Sequence, residues 1–117
     1  MDLGQAIQKH AEWKIKFRTA IEKQETVDAA TIARDDCCEL GKWLHGDGRR
    51  LFGARQSYLP CVQRHAAFHV EAAKVAQAIN GKRFAQAETM LDGDSAYAEA
   101  SSAVGVAIMK LKKEAAL

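Results

Sequence analysis

The sequence has little of what breaks a helix. One proline, Pro60, stands among 117 residues, β-branched residues seldom gather into runs, and Ala, Lys, Glu and Gln are abundant. That balance favours helix throughout and makes an all-α fold the expectation. Long apolar runs are missing as well. No stretch approaches the roughly 20 residues needed to cross a bilayer, and Met1-Asp2-Leu3 does not begin a signal peptide, so a cytoplasmic protein is expected. Charge of one sign is also lacking. Seventeen basic against fifteen acidic residues leave a formal charge of +2, far short of the basic stripe that phosphate-backbone binding needs. Arg49, Arg50 and Arg55 therefore read as a solvated loop, and nucleic acid is not an expected partner. Three cysteines, an odd number, argue for thiols or metal ligation over a disulfide framework, the more so because Cys37 and Cys38 are adjacent. No repeat, low-complexity tract or linker divides the chain, and its length fits a single domain over residues 1–117.

Periodicity then places the helices. A first helix runs from Leu3 to about Glu25, with Asp2 as its cap and an apolar stripe through Leu3, Ile7, His10, Trp13, Phe17, Ala20 and Ile21. In the middle, Asp28 or Thr31 is placed to cap a short helix carrying Asp35 through Leu44, which His45-Gly46-Asp47-Gly48 ends. Arg49 to Gly53 adds at most a helical turn. A third helix starts near Gln56 or Ser57, tolerates Pro60 in its first turn and continues to Ile79, before Asn80-Gly81 stops it. A fourth stretch runs from about Lys82 to Glu114, with Tyr97, Ser101, Val104, Ile108 and Leu111 as its stripe. Asp92-Gly93-Asp94-Ser95 is a candidate break, with Ser95 as a second cap, and the end from Lys112 to Leu117 is expected to fray. Three long helices and a short one that bears cysteines predict an antiparallel helical bundle.

Histidines interrupt these apolar stripes. His65 and His69 are one helical turn apart, on the stripe that passes through Tyr58, Val62, Ala72, Ala76 and Ile79, and His10 lies within the stripe of the first helix. Neutral imidazole has one donor and one acceptor, and each left unpartnered in a core costs on the order of 1–3 kcal/mol. A metal ion, with hydrogen bonds to the far ring nitrogens, satisfies them. Adding one of the two middle cysteines gives three imidazoles and a thiolate, the donor types zinc takes in tetrahedral sites. Periodicity does not choose between Cys37 and Cys38. Four protein donors close the coordination sphere, which points away from hydrolysis and an enzyme and towards a structural or sensing metal. A di-iron site of hemerythrin type needs more ligands than four histidines supply without carboxylates on the stripes. His45, beside Gly46, reads as exposed, and Cys61 as buried and inert.

Three ordered motifs carry a resemblance. His10-Ala11-Glu12-Trp13, Cys38-Glu39-Leu40-Gly41-Lys42-Trp43 and His65-Ala66-Ala67-Phe68-His69 are similar to the H-x-x-W, C-x-L-G-x-W and H-x-x-x-H of the chemoreceptor zinc-binding (CZB) domain. The match of motifs selects Cys38 over Cys37, which is left as a small core residue. The resemblance implies a cytosolic helical domain holding Zn2+ through His10, Cys38, His65 and His69, often as a homodimer, with Trp13 and Trp43 packed near the metal. It also implies attachment to, or control of, a chemoreceptor or a diguanylate cyclase in bacterial signalling. No receptor coiled coil or cyclase motif is present, so the expectation is an excised regulatory domain or one that docks on a separate partner. The signal is expected to be zinc itself or oxidation of the ligand thiolate by oxidants such as hypochlorous acid. The alternative is a zinc-stabilised dimerisation or interaction module that senses nothing.

Overall fold

Residues 1–116 are described by a computed structural model. Among them every regular element is a helix: α1 (Leu3–Lys23), α2 (Ala29–Ile32), α3 (Glu39–His45), α4 (Asp47–Phe52), α5 (Tyr58–Asn80), α6 (Phe84–Met90) and α7 (Ala96–Ala115). The three long ones, α1, α5 and α7, form a helical bundle, and none of the helices is long and apolar enough to cross a membrane.

The expected caps are in place. The Asp2 carboxylate accepts from the Gln5 N–H at 3.0 Å and starts α1. Gln24 ends that helix in the left-handed region at φ 56°, letting the Glu25 N–H donate back to the Ala20 carbonyl at 2.9 Å. The Ser95 hydroxyl accepts from Ala98 N–H at 3.1 Å, so the Asp92–Ser95 stretch is a true break and the fourth segment is two helices. α7 remains helical through Ala115, beyond where fraying was expected; Leu117, the last residue of that expectation, lies outside the described residues.

Direction follows from contacts at the helix ends. Glu114, late in α7, accepts from both the N–H and the hydroxyl of Ser57 at the start of α5, at 3.0 and 2.9 Å. Phe17, late in α1, meets Tyr97, early in α7, with ring centroids 6.0 Å apart. Thus α7 runs antiparallel to both neighbours, while residues 24–57 cross over so that α1 and α5 point the same way. The core between them holds Leu3, Phe17, Phe68, Ile79, Val104, Ile108 and Leu111, all essentially without exposed surface. α5 is the central member, and its small residues Ala72, Ala76 and Ala78 are buried along with its bulky ones.

The crossover differs from the single short helix expected over Asp35–Leu44. Asp28 does cap a helix, accepting from Thr31 N–H at 3.2 Å and from its hydroxyl at 2.8 Å, but that helix is the single turn α2. The chain then leaves helical geometry and re-enters it only after Cys38, the N-cap of α3 at φ −80° and ψ 162°. The cysteine sulfur does the work of a serine hydroxyl, accepting from the Gly41 N–H at 3.3 Å. The α3 helix is tied to α5 by the Tyr58 hydroxyl, which donates to the Leu44 carbonyl at 2.6 Å. α4 supplies a little more than the turn expected after Gly48.

Candidate metal centre

The four candidate ligands reach the centre from three segments. His10 is held by α1, eight residues into the helix, and its Nδ1 donates to the Ala6 carbonyl one turn back at 2.7 Å. His65 and His69 project from consecutive turns of α5, and His69 Nδ1 donates to the Ile32 carbonyl at the end of α2, at 2.8 Å. Cys38 enters from the crossover. All three histidines are buried, whereas Cys38 is half-buried.

These four side chains converge. One ligand atom from each of His10, Cys38, His65 and His69 can be chosen so that all lie within 4.8 Å of one another. His65 Nε2 is 3.0 Å from His69 Nε2 and 3.2 Å from Cys38 Sγ, and His69 Nε2 is 3.6 Å from the same sulfur. Bonds of about 2.0–2.1 Å to nitrogen and 2.3 Å to sulfur around a tetrahedral ion put the donors roughly 3.3–3.6 Å apart. The spacing fits such an ion.

Hydrogen bonding points the same way. Because His10 and His69 spend the Nδ1 proton on a carbonyl, each turns a lone pair on Nε2 inward, the tautomer a metal needs. His10 Nε2 is buried and has no protein partner, and His65 Nδ1 is likewise unpartnered. A cation among the four donors would give the orphaned His10 Nε2 its partner, whereas His65 meets the centre through Nε2 and its unpartnered Nδ1 lies on the far side of the ring. Burial pushes the Cys38 thiol up from its ordinary range, only partly offset by backbone N–H groups at Gly41 and Leu40. A coordinated cation would reverse that, since a ligating thiol is deprotonated outright. Four protein donors leave no position for a water, so the arrangement suits retention of an ion.

The remaining candidates fall elsewhere. Trp13 is half-buried and lines a small cavity together with Cys38 and His69. Trp43 turns instead to α4, where its ring lies 6.0 Å from Phe52 and fills the space a side chain at Gly48 would need. His45 is exposed and pairs with Asp35 at 3.2 Å. Cys61 is fully buried and its thiol is pushed up to about 11 by burial, in keeping with an inert role. Cys37 is not the small core residue expected: it is half-buried in the crossover, with its thiol 3.7 Å from the Asp36 carboxylate. It sits there because the chain bends at Cys37 before α3 begins, so it does not share a helical face with Leu40 and Leu44. Two supports went unforeseen. The Ala6 carbonyl, four residues before His10, is legible from helical spacing alone, but nothing in the sequence marks the Ile32 carbonyl.

The metal-free centre has a sign in pH. Burial first, then the neighbouring His69 and His10, push His65 down to about 3, and burial pushes His10 down from its ordinary value near 6.5. The unfolded chain therefore takes up protons below about pH 6.5 that the folded chain refuses, at up to about 1.4 kcal/mol per pH unit per histidine. Stability is complete above that pH and is lost as pH falls. Urea midpoints of chelator-treated protein are expected to drop by the equivalent of about 1–3 kcal/mol between pH 7.5 and pH 5.5; equal midpoints would contradict the neutral, buried histidines.

Comparison with known proteins gives one family. The model of the chemoreceptor zinc-binding domain matches residues 10–76, a span that begins on the first candidate ligand and includes the other three. No curated protein and no solved structure matches the chain.

Proposed function

The chain belongs to the chemoreceptor zinc-binding (CZB) domain family, and on that premise we propose that it is a zinc-dependent regulatory module of bacterial signalling. His10, Cys38, His65 and His69 hold the ion, and the state of that site controls a chemoreceptor or a diguanylate cyclase in the cytoplasm. The observation that carries this reading is the convergence of the four donor atoms within 4.8 Å on otherwise apolar helix faces. Residues 1–117 act as one unit, because α7 covers the faces of α1 and α5 that the ligand-bearing segments leave open.

The same ligands make an oxidant switch. Bound zinc keeps Cys38 as a thiolate, the form that hypochlorous acid and similar oxidants attack. Cys38 is the half-buried member of the set and the only one not on a helix interior, so it is the ligand that oxidant reaches. Its sulfur also caps α3 through the Gly41 N–H. Oxidation therefore removes a metal donor and loosens the start of α3 together. The output surface is the groove between α5 and α7, where Pro60, Val106 and Ala103 lie beside Arg64 and Lys110; Val70 and Met109 are exposed as well. A second copy of the chain, giving a homodimer, or the signalling partner itself is its occupant.

Zinc release followed with a chromogenic chelator tests the sensing step. Wild-type protein carrying about one zinc per chain is expected to release it on titration with hypochlorous acid, while Cys38→Ser, whose oxygen is not oxidised under these conditions, releases no additional zinc on oxidant addition. Equal oxidant responses would sink the switch. Zinc that neither oxidant nor competing chelator displaces would favour a purely structural, zinc-stabilised module.

A further inference from the structure

We propose that Asn80 is a positioning residue for the metal centre, acting from the far end of α5 through the backbone of residues 27–32 on the ring of His69. This rests on the zinc reading above. The Asn80 side chain makes a reciprocal pair with the Val27 backbone: its Oδ1 accepts the Val27 N–H at 2.8 Å, and its Nδ2 donates to the Val27 carbonyl at 2.8 Å. It thus does for Val27 what a neighbouring strand would, fixing both polar groups of one residue.

What Val27 leads into is stiff. Asp28 binds the N–H and hydroxyl of Thr31, and its own carbonyl accepts from the Ile32 N–H at 3.0 Å, so residues 28–32 form one closed turn. That turn ends in the Ile32 carbonyl, which accepts the His69 Nδ1 proton. Two side chains of a single helix, His69 and Asn80, therefore strap the same segment to α5, one at each end. The His69 bond fixes the tautomer that presents Nε2 to the centre, a contact whose loss weakens metal sites 10- to 100-fold when it is removed directly. Asn80 lies one link further out, and its two hydrogen bonds are exposed, so a loss on the order of threefold to tenfold is expected.

A residue that only ends α5 would lower stability without altering the grip on the ion. Zinc affinity by chelator competition separates the two roles when Asn80→Ala and Asn80→Asp are compared with Ser95→Ala. The aspartate keeps the acceptor for the Val27 N–H and loses the donor, so it preserves the fold if the alanine variant does not. Ser95→Ala removes the α7 cap, which has no hydrogen-bonded path to a ligand. Expected is weaker zinc binding in both Asn80 variants and faster solvent exchange of the His69 Nδ1 proton by NMR, with Ser95→Ala unchanged on both counts. Wild-type affinity and ring-proton exchange in the Asn80 variants, or an equal loss in Ser95→Ala, overturns the inference while zinc binding by the wild type stands. A wild-type chain that takes no zinc overturns the reading of the centre, and the inference with it.

Discussion

His65→Ala is expected to melt at the same temperature with and without zinc, whereas the zinc-loaded wild-type protein is expected to lose on the order of 15 °C on chelation. The magnitude follows from binding linkage. Structural zinc sites bind with roughly 10–16 kcal/mol at neutral pH, which is comparable to the about 5–15 kcal/mol by which a whole domain is stable. Free zinc at about 1,000 times its dissociation constant adds about 4 kcal/mol to the folded state, and a domain of this size shifts by about 4 °C for each. The variant is informative because each protein is compared with itself with and without zinc, so a difference between the two metal-free proteins drops out. His65 is fully buried with an unpartnered Nδ1, so removing the imidazole creates a cavity but also removes an unsatisfied polar group, and these effects oppose each other. Calorimetry of both proteins with and without chelator checks the result. A zinc-dependent rise in the melting temperature of His65→Ala equal to that of the wild type would take His65 out of the ligand set.

Gly41→Ala is expected to cost about 3 kcal/mol or more and to weaken zinc binding, although the residue is not a ligand. A Cβ placed on Gly41 would lie 1.7 Å from the Asp35 carbonyl oxygen and 2.7 Å from its carbon. Those are backbone atoms of the crossover folded down onto α3, and they cannot rotate away as a long side chain would. Overpacking of a well-filled interior usually costs about 1–3 kcal/mol, and a clash with main chain belongs at the upper end. The crossover has to lift, and Cys38 lies within it. Since the Gly41 N–H also donates to the Cys38 sulfur, movement at Gly41 displaces that sulfur from two directions. Urea unfolding of the metal-free protein and chelator competition for zinc measure the two effects; near-wild-type values in both would show that the close approach is not maintained in solution.

The histidines were readable because helical geometry converts spacing directly into position. His65 and His69 sit on the buried face that Tyr58, Ala72, Ala76 and Ile79 define, and His10 on the face of Leu3 and Phe17, so an apolar stripe with imidazoles in it announced the centre. Caps at Asp2 and Ser95 were equally legible, since each carries a side-chain oxygen suited to the task, while Asp28, one of two candidates with Thr31, caps a single turn and not the helix expected to carry Asp35 to Leu44. The crossover was not. Asp35 to Leu44 has no proline and only one glycine, so nothing local opposed a helix. What opposed it was tertiary: the Asp35 carbonyl packs over Gly41, and a cysteine, seldom a cap by propensity, takes the N-cap of α3. The same loop moved Cys37 out of the core. Periodicity could not choose between the cysteines because neither lies within a helix; the C-x-L-G-x-W motif could, because it encodes the cap and the close-packed glycine together.

The four proposed ligands all lie between residues 10 and 69, while α7, from Ala96 to Ala115, contributes none. An ion held by that set would be in effect a cross-link, stapling α1, the crossover and α5 into one loop-closed unit, with the C-terminal helix outside the staple. Apolar packing through Tyr97, Val104, Ile108 and Leu111 is what keeps α7 in place. That core is common to all three long helices, so α7 is tied to the ligand-bearing segments by packing alone. Zinc is therefore expected to protect the amides of α1, α3 and α5 from exchange directly, and those of α7 only through the core it shares with them.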